Sequence, residues 1–117
     1  MNNIKTIKLV KPIKIDGKEY TEIPYNLEDF TARDKINASK KYKKDGGVIS
    51  VQELDADYHL YLFAEAAAKA DSSIDITDIF RMSAKDSSKA EGIVRDFFFI
   101  TSEEPQNKLQ TKSSEEE

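Results

Sequence analysis

Few side chains in this sequence have the types and the spacing that catalysis needs. His59 is the only histidine, and Asp55 lies one helical turn before it, where its carboxylate could orient the imidazole as a general base. His59 also lies inside an apolar run, and a histidine at the edge of a core helix explains it better. The sequence contains no nucleophile elbow, Walker loop or Rossmann glycine pattern. We therefore predict that the protein is not an enzyme.

The aspartates between residues 71 and 78 resemble a calcium-binding loop in their spacing. An EF-hand loop requires glycine at its sixth position to turn the chain and glutamate at its twelfth to clamp the ion. Counted from Asp71, those positions hold Ile76 and Met82. We predict no metal site and no cofactor, and we interpret these aspartates as helix caps.

A lysine cluster closes the first predicted helix, and Tyr42 lies within it. Lys40, Lys41 and Lys44 could neutralise phosphates while the tyrosine ring stacks on a base. The same charges also stabilise a helix C-terminus by opposing its dipole. Because the net charge of the chain is −4 and no recognition-helix pattern is present, we predict no nucleic-acid partner. We keep these three lysines as candidate contacts for a protein partner.

The run Phe97-Phe98-Phe99-Ile100 is too apolar for one face of a helix, because successive helical residues are about 100° apart. Phe97 continues an apolar stripe that begins at Ala90, so we expect Phe97 and Phe98 in the core. Phe99 should point either under a hairpin or to solvent. We predict that Phe98, Phe99 and Ile100 bind a partner or another copy. Phe97→Ser should then unfold the helix, whereas Phe99→Ser should mainly weaken binding.

The elements that position these residues begin with a β-hairpin. Asp16-Gly17 predicts a tight turn, because a type I′ turn needs positive φ at both central residues. The two-residue loop predicts the pairs Ile15 with Lys18, Lys14 with Glu19, and Ile13 with Tyr20. Pro12 has no backbone N–H, so we expect an edge strand or a bulge there.

Helical patterns follow the hairpin. We predict a first helix over residues 28–44, with Thr31 and Asp34 in a capping box and Gly46-Gly47 at its end. A second helix, over residues 51–70, should be central because it is apolar almost all round, and Ser50 with Glu53 should cap it.

Two further helices complete the prediction. A short one over residues 75–82 should turn Ile76, Ile79 and Phe80 inward, and a last one should run from Ser83 to about residue 101. Gly92 within it should mark a close helix contact.

The bulk properties indicate one domain. We predict an α+β fold, with an N-terminal β-hairpin packed on a bundle of about four α-helices over residues 1–101. A disordered acidic tail should occupy residues 102–117. No apolar run approaches the roughly 20 residues that span a bilayer, so we expect no membrane partner. Residues 1–48 carry eleven basic and seven acidic side chains, and residues 49–117 carry seven and fifteen, an asymmetry that can steer association.

The order of hairpin, "Asn-Leu-Glu-Asp-Phe-Thr-Ala-Arg-Asp" and helices resembles the small tail assembly chaperones of tailed bacteriophages and prophages. The matching residues are Lys11-Pro12-Ile13, Asp16 to Tyr20, Leu27, and Thr31 to Asp34. The likeness extends in layout from about residue 7 to residue 100 and is sharpest over residues 11–34.

This resemblance implies a chaperone of the host bacterial cytoplasm. It would bind the tape measure protein during tail morphogenesis and be absent from the mature virion. The tail tube protein and self-association are further expected contacts. Two alternatives stay open: a structural component of the phage tail or head, and a small nucleic-acid-binding regulatory module.

Overall fold

The structure, a computed structural model, describes residues 3–100 apart from the side chain of Ile100. The described elements, in chain order, are strands β1 (Lys5–Ile15) and β2 (Lys18–Tyr25), helix α1 (Ala32–Lys44), a 3₁₀ turn (Gln52–Leu54), helices α2 (Ala56–Ala70), α3 (Ile76–Ile79) and α4 (Ala84–Arg95), and a π-helical segment (Asp96–Ile100). The predicted α+β class is therefore confirmed. The tail predicted over residues 102–117 lies outside the described residues.

The hairpin has the predicted register. The three predicted pairs beside the turn are present, and Asp16 and Gly17 have φ values of 52° and 80°. Pairing resumes from Lys8 with Glu22 towards the strand ends, after a register shift between Lys8 and Ile13. The bulge expected around Pro12 is thus confirmed.

Helix α2 is the centre of the domain. It contacts α1, α3, α4 and strand β2, and the side chains of Leu62 and Phe63 are fully buried. The hairpin turns its apolar face, including Ile15 and Ile23, into the same core. A helix that is apolar nearly all round can only be stable when it is covered on several sides. In the part of the chain that the structure describes, no helix is long and apolar enough to cross a membrane.

Helix α1 begins later than predicted and ends as predicted. The Asn26 side chain bonds Asp29 on both its backbone N–H and its carboxylate, which holds a turn where the helix was expected. Thr31 and Asp34 then form the predicted capping box. At the other end Gly46 has a φ of 99°, and its N–H and that of Gly47 bond back to the last turn of α1.

Gly47 also lies against an aromatic ring. A β-carbon at this position would be 2.3 Å from the nearest ring carbon of Tyr42. The Gly46-Gly47 pair therefore ends the helix by its backbone conformation and makes room for the tyrosine.

The predicted start of the second helix is wrong. Ser50 does not cap it; Asp55 does, by accepting a hydrogen bond from the Tyr58 N–H at 3.0 Å. Aspartate and serine are about equally good N-caps. The Asp55 carboxylate also accepts a hydrogen bond from the Tyr42 hydroxyl of α1, a tertiary contact that Ser50 lacks. Residues 52–54 form only a 3₁₀ turn.

Two other packing predictions are wrong. Phe80 is 53% exposed, because α3 is a single turn whose inner side is filled by buried Ile79 and partly buried Ile76. Gly92 makes no close contact, since a β-carbon built on it would meet nothing within 4 Å.

The bulge of β1 is held to α4 by one buried carboxylate. Asp86 is fully buried, and its two oxygens accept hydrogen bonds from the N–H groups of Val10, at 2.9 Å, and Lys11, at 3.1 Å. The Ser83 hydroxyl donates to the same carboxylate at 2.9 Å, and Lys89 lies 3.4 Å away. Backbone donors that lost their ladder partners in the bulge are satisfied in this way.

Two carbonyl groups of β1 are also taken by side chains of the helical layer. The Lys89 ammonium donates to the Lys8 carbonyl at 2.8 Å, and the Arg81 guanidinium donates to the Lys14 carbonyl. Both bonds connect β1 to the helical layer. The outer edge of β1 is therefore occupied at several positions along its length.

We expect Asp86→Ala to lower the free energy of unfolding by about 3 kcal/mol, because it leaves buried backbone donors unsatisfied. Asp86→Asn keeps one acceptor oxygen, so its free energy of unfolding should fall by less. Urea unfolding of both variants beside Glu28→Gln, a change at an exposed carboxylate, measures the difference. Equal midpoints for Asp86→Ala and Glu28→Gln would show that the carboxylate contributes nothing.

The same carboxylate should make stability depend on pH. Burial raises the pKa of Asp86, but the hydrogen bonds from Val10, Lys11, Ser83 and Lys89 together outweigh it, so the pKa is lowered. The pKa of an aspartate in the unfolded chain is about 4, and a lower pKa in the folded state stabilises the fold at pH values above about 4. This stability is lost as the pH falls from about 4 through the pKa of the folded state. The midpoint of thermal unfolding, measured at pH values of about 4 and below, should depend less steeply on pH for Asp86→Asn than for the unmodified chain.

Candidate partner-binding surfaces

The aromatic run at the end of α4 is wound differently from an α-helix. Residues 96–100 form a π-helical segment, in which hydrogen bonds span five residues and each turn is wider. The wider turn changes the direction in which each side chain points. Phe97 is 38% exposed, while Phe98 and Phe99 are half-buried. The prediction that Phe97 belongs to the core is therefore wrong, and Phe97 is the most exposed of the three phenylalanines.

Phe98 packs on the residues at the start of α1. Its ring centroid lies 5.8 Å from that of Phe30 and 4.9 Å from that of Phe97. The Lys35 ammonium of α1 lies over the same ring, at 5.7 Å. Phe98 thus connects the end of α4 with the start of α1. The side chain of Ile100, the last predicted contact, lies outside the described residues.

Phe99 packs on the histidine that sequence analysis singled out. The two rings stack with centroids 5.4 Å apart, and His59 is 2% exposed. The Nε2 atom of His59 lies 2.7 Å from the Gln52 carbonyl oxygen. Asp55 does not orient His59, since its carboxylate caps α2 and bonds Tyr42. The histidine therefore has a structural position in the core.

The three predicted lysines at the end of α1 differ in their contacts. Lys41 forms an ion pair with Glu65 of α2 at 2.9 Å. Tyr42 turns inward, with its ring 5.1 Å from that of Tyr61, so its face is not free to stack on a base. Lys40 and Lys44 are exposed.

The aspartates of residues 71–78 hold turns and caps, as their interpretation as capping residues predicts. The Asp71 carboxylate accepts hydrogen bonds from the Ser73 N–H and from the hydroxyl of Tyr20 on the hairpin. Asp75 caps α3 in a reciprocal pair with Asp78.

A groove that was not predicted from the sequence lies where the end of α1, the first half of α2 and the residue after α3 meet. Its volume is about 600 Å³. The lining residues are Tyr42, Asp45, Gly46, Gly47, Val48, Asp57, Leu60, Tyr61 and Phe80. Among them, Val48 is 82% exposed, and the ring of Phe80 is also exposed. The groove is therefore open to solvent and presents both apolar side chains and carboxylates.

The rim of this groove is acidic and its floor is uncharged. The Tyr61 hydroxyl donates to the Asp45 carboxylate at 2.5 Å. Burial, this hydrogen bond and the negative charges of Asp45 and Asp57 together raise the pKa of Tyr61 to about 12. Burial and the hydrogen bond to Asp55 also raise the pKa of Tyr42. Both phenols stay protonated at neutral pH, so the charge of the groove is that of its carboxylates.

The sequence contained one signal for exposed apolar surface in the loop that supplies Val48 to the groove. Val48, Val51 and Leu54 are apolar residues between the Gly46-Gly47 stop and the Asp55 cap, and all three are exposed. The predicted second helix over residues 51–70 included the last two, but its apolar character was expected only from Tyr58 onward. Exposed apolar residues in a connecting loop are typical of a contact surface.

The comparisons with known proteins give one match. A family model described as phage tail assembly chaperone proteins, E, or 41 or 14, matches residues 6–98. No curated protein and no solved structure matches the chain. The matched residues include both strands, α1 to α4 and the whole groove, and they end within the aromatic run.

We expect Phe98→Ser to lower the free energy of unfolding by about 1 to 2 kcal/mol, because it removes the contact between α4 and the start of α1. Phe97→Ser should cost less than about 1 kcal/mol, since that ring is partly in solvent already. Urea unfolding of the two variants side by side measures this order. A larger loss for Phe97→Ser would contradict the π-helical geometry.

Proposed function

We propose, from the premise that this chain belongs to the phage tail assembly chaperone family, that it binds the tape measure protein before the tail tube polymerises around it. The family is non-enzymatic, and its members assist the assembly of tail proteins. The match over residues 6–98 is the observation that carries the proposal. In the host bacterial cytoplasm, the chain would keep its partner from aggregating and would leave before the virion is complete.

The surface of the domain supports a binding role. Large apolar side chains are exposed on a folded framework, among them Val48, Leu54, Phe80 and Phe97. Exposed apolar surface of this kind is typical of protein contact sites. A chaperone needs such surface to cover the apolar segments of its partner, and it needs no catalytic group.

The end of α4 is one proposed contact region. We propose that Phe98, Phe99 and Ile100 act there together with Phe97, whose ring is the most accessible of the three phenylalanines. Lys40 and Lys44 are proposed contacts for acidic groups of a partner, and Lys41 would first have to leave Glu65. The tail tube protein and a second copy of the chain are further proposed partners.

Co-expression tests the proposal directly. We expect the tape measure protein of the same phage to be soluble in the presence of this chain, and to co-purify with it through an affinity tag. Asp86→Ala is the control, because a destabilised domain should lose this effect. A tape measure protein that neither binds nor becomes soluble would overturn the proposal.

The composition of purified particles separates a chaperone from a structural component of the tail or head. A chaperone should be abundant in lysates during assembly and absent from mature virions by mass spectrometry. A fixed number of copies per finished particle would assign the chain to the structural class instead.

A further inference from the structure

The groove bordered by α1, α2 and α3 has apolar side chains placed for contact with another molecule. Val48 and Phe80 both line it and are 82% and 53% exposed, and Leu60 of α2 lines it as well. Most of the Val48 side chain and about half of the Phe80 side chain remain in contact with water, which is unfavourable for apolar surface. A partner that covers both would gain that burial.

The hydrogen-bonding groups of the groove are already used within the protein. The hydroxyls of Tyr42 and Tyr61 donate to Asp55 and Asp45, and the N–H groups of Gly46 and Gly47 bond carbonyls of α1. No residue of β1 or β2 lines the groove, so it presents no strand edge. An extended peptide would therefore find few donors for its carbonyls. A helix satisfies its own backbone and needs only apolar contact.

The charged side chains that line the groove are both carboxylates. Asp45 and Asp57 line it, and from residue 45 to residue 68 the sequence contains five acidic residues and no lysine or arginine. The pKa of Tyr61, raised in part by these two carboxylates, reports the same negative field. Such a rim attracts basic side chains and repels acidic ones.

We infer that this groove binds a basic amphipathic helix of the tape measure protein, with apolar residues one turn apart on Val48, Leu60 and Phe80, and lysines or arginines beside Asp45 and Asp57. This inference rests on the proposed function and adds to it a site and the chemistry of the segment that the site takes. The groove is separate from the aromatic run at the end of α4.

A synthetic peptide of leucine and lysine, arranged as an amphipathic helix, tests the inference with the full chain. Its control is a scrambled peptide of the same composition without an apolar stripe, which carries the same charge. We expect the amphipathic peptide to bind about tenfold more tightly in a titration followed by calorimetry. Equal affinities would show charge attraction alone and would overturn the inference.

Matched variants place the binding at the groove. Val48→Ser with Phe80→Ser should remove the tenfold preference, whereas Val10→Ser, a change at a 64% exposed valine of the hairpin, should not. Asp57→Asn should reduce the salt dependence of binding more than Glu22→Gln does, because both remove one charge but only Asp57 lines the groove. Unchanged binding by the Val48 and Phe80 double variant would contradict the site.

Co-purification of the tape measure protein with the same double variant distinguishes the two proposals. Loss of co-purification, with the fold intact by circular dichroism, supports the groove as the site. Retention at the level of the unmodified chain overturns the groove and leaves the proposed function standing. Failure of the unmodified chain to co-purify overturns both.

Discussion

The buried carboxylate of Asp86 is the interaction on which the arrangement of the two layers depends. A burial of this depth raises the energy of a charge, so the carboxylate is stable only because donors from both layers converge on it. Val10 and Lys11 contribute backbone N–H groups from the hairpin, and Ser83 and Lys89 contribute side chains from α4. The bulge frees the donors and the helix start supplies the acceptor. Without the other element, the N–H groups of the bulge would lack an acceptor and the buried carboxylate would lack two of its donors.

The parts of the fold that could be predicted are those fixed by neighbours in the sequence. A tight turn at Asp16-Gly17 sets the register of the strands beside it, and Thr31 with Asp34 sets the start of α1. The start of α2 could not be predicted in the same way. Ser50 and Asp55 are equally good caps by local rules, and the Tyr42 hydroxyl of another helix favours Asp55. Tertiary contacts decide between local options of similar energy.

The candidate surfaces were harder to predict than the fold, for two physical reasons. The groove is built from residues 42–48, 57–61 and 80, which come together only when three helices pack, so no continuous motif encodes it. The aromatic run is continuous, but its exposure depends on the winding of the helix. A change from α to π winding exposes Phe97 and moves Phe99 onto His59, and amino-acid composition carries no sign of that change.

The occupied outer edge of β1 has a consequence for polymer growth. A sheet extends without limit only if every added unit has two free strand edges. One edge pairs with the existing sheet, and the other pairs with the next unit. Here Asp86, Lys89 and Arg81 bond backbone groups along one of the two edges. A strand added to the hairpin would therefore have only β2 to join, and the addition would stop at one partner. A hairpin built in this way does not seed a fibre by edge-to-edge pairing.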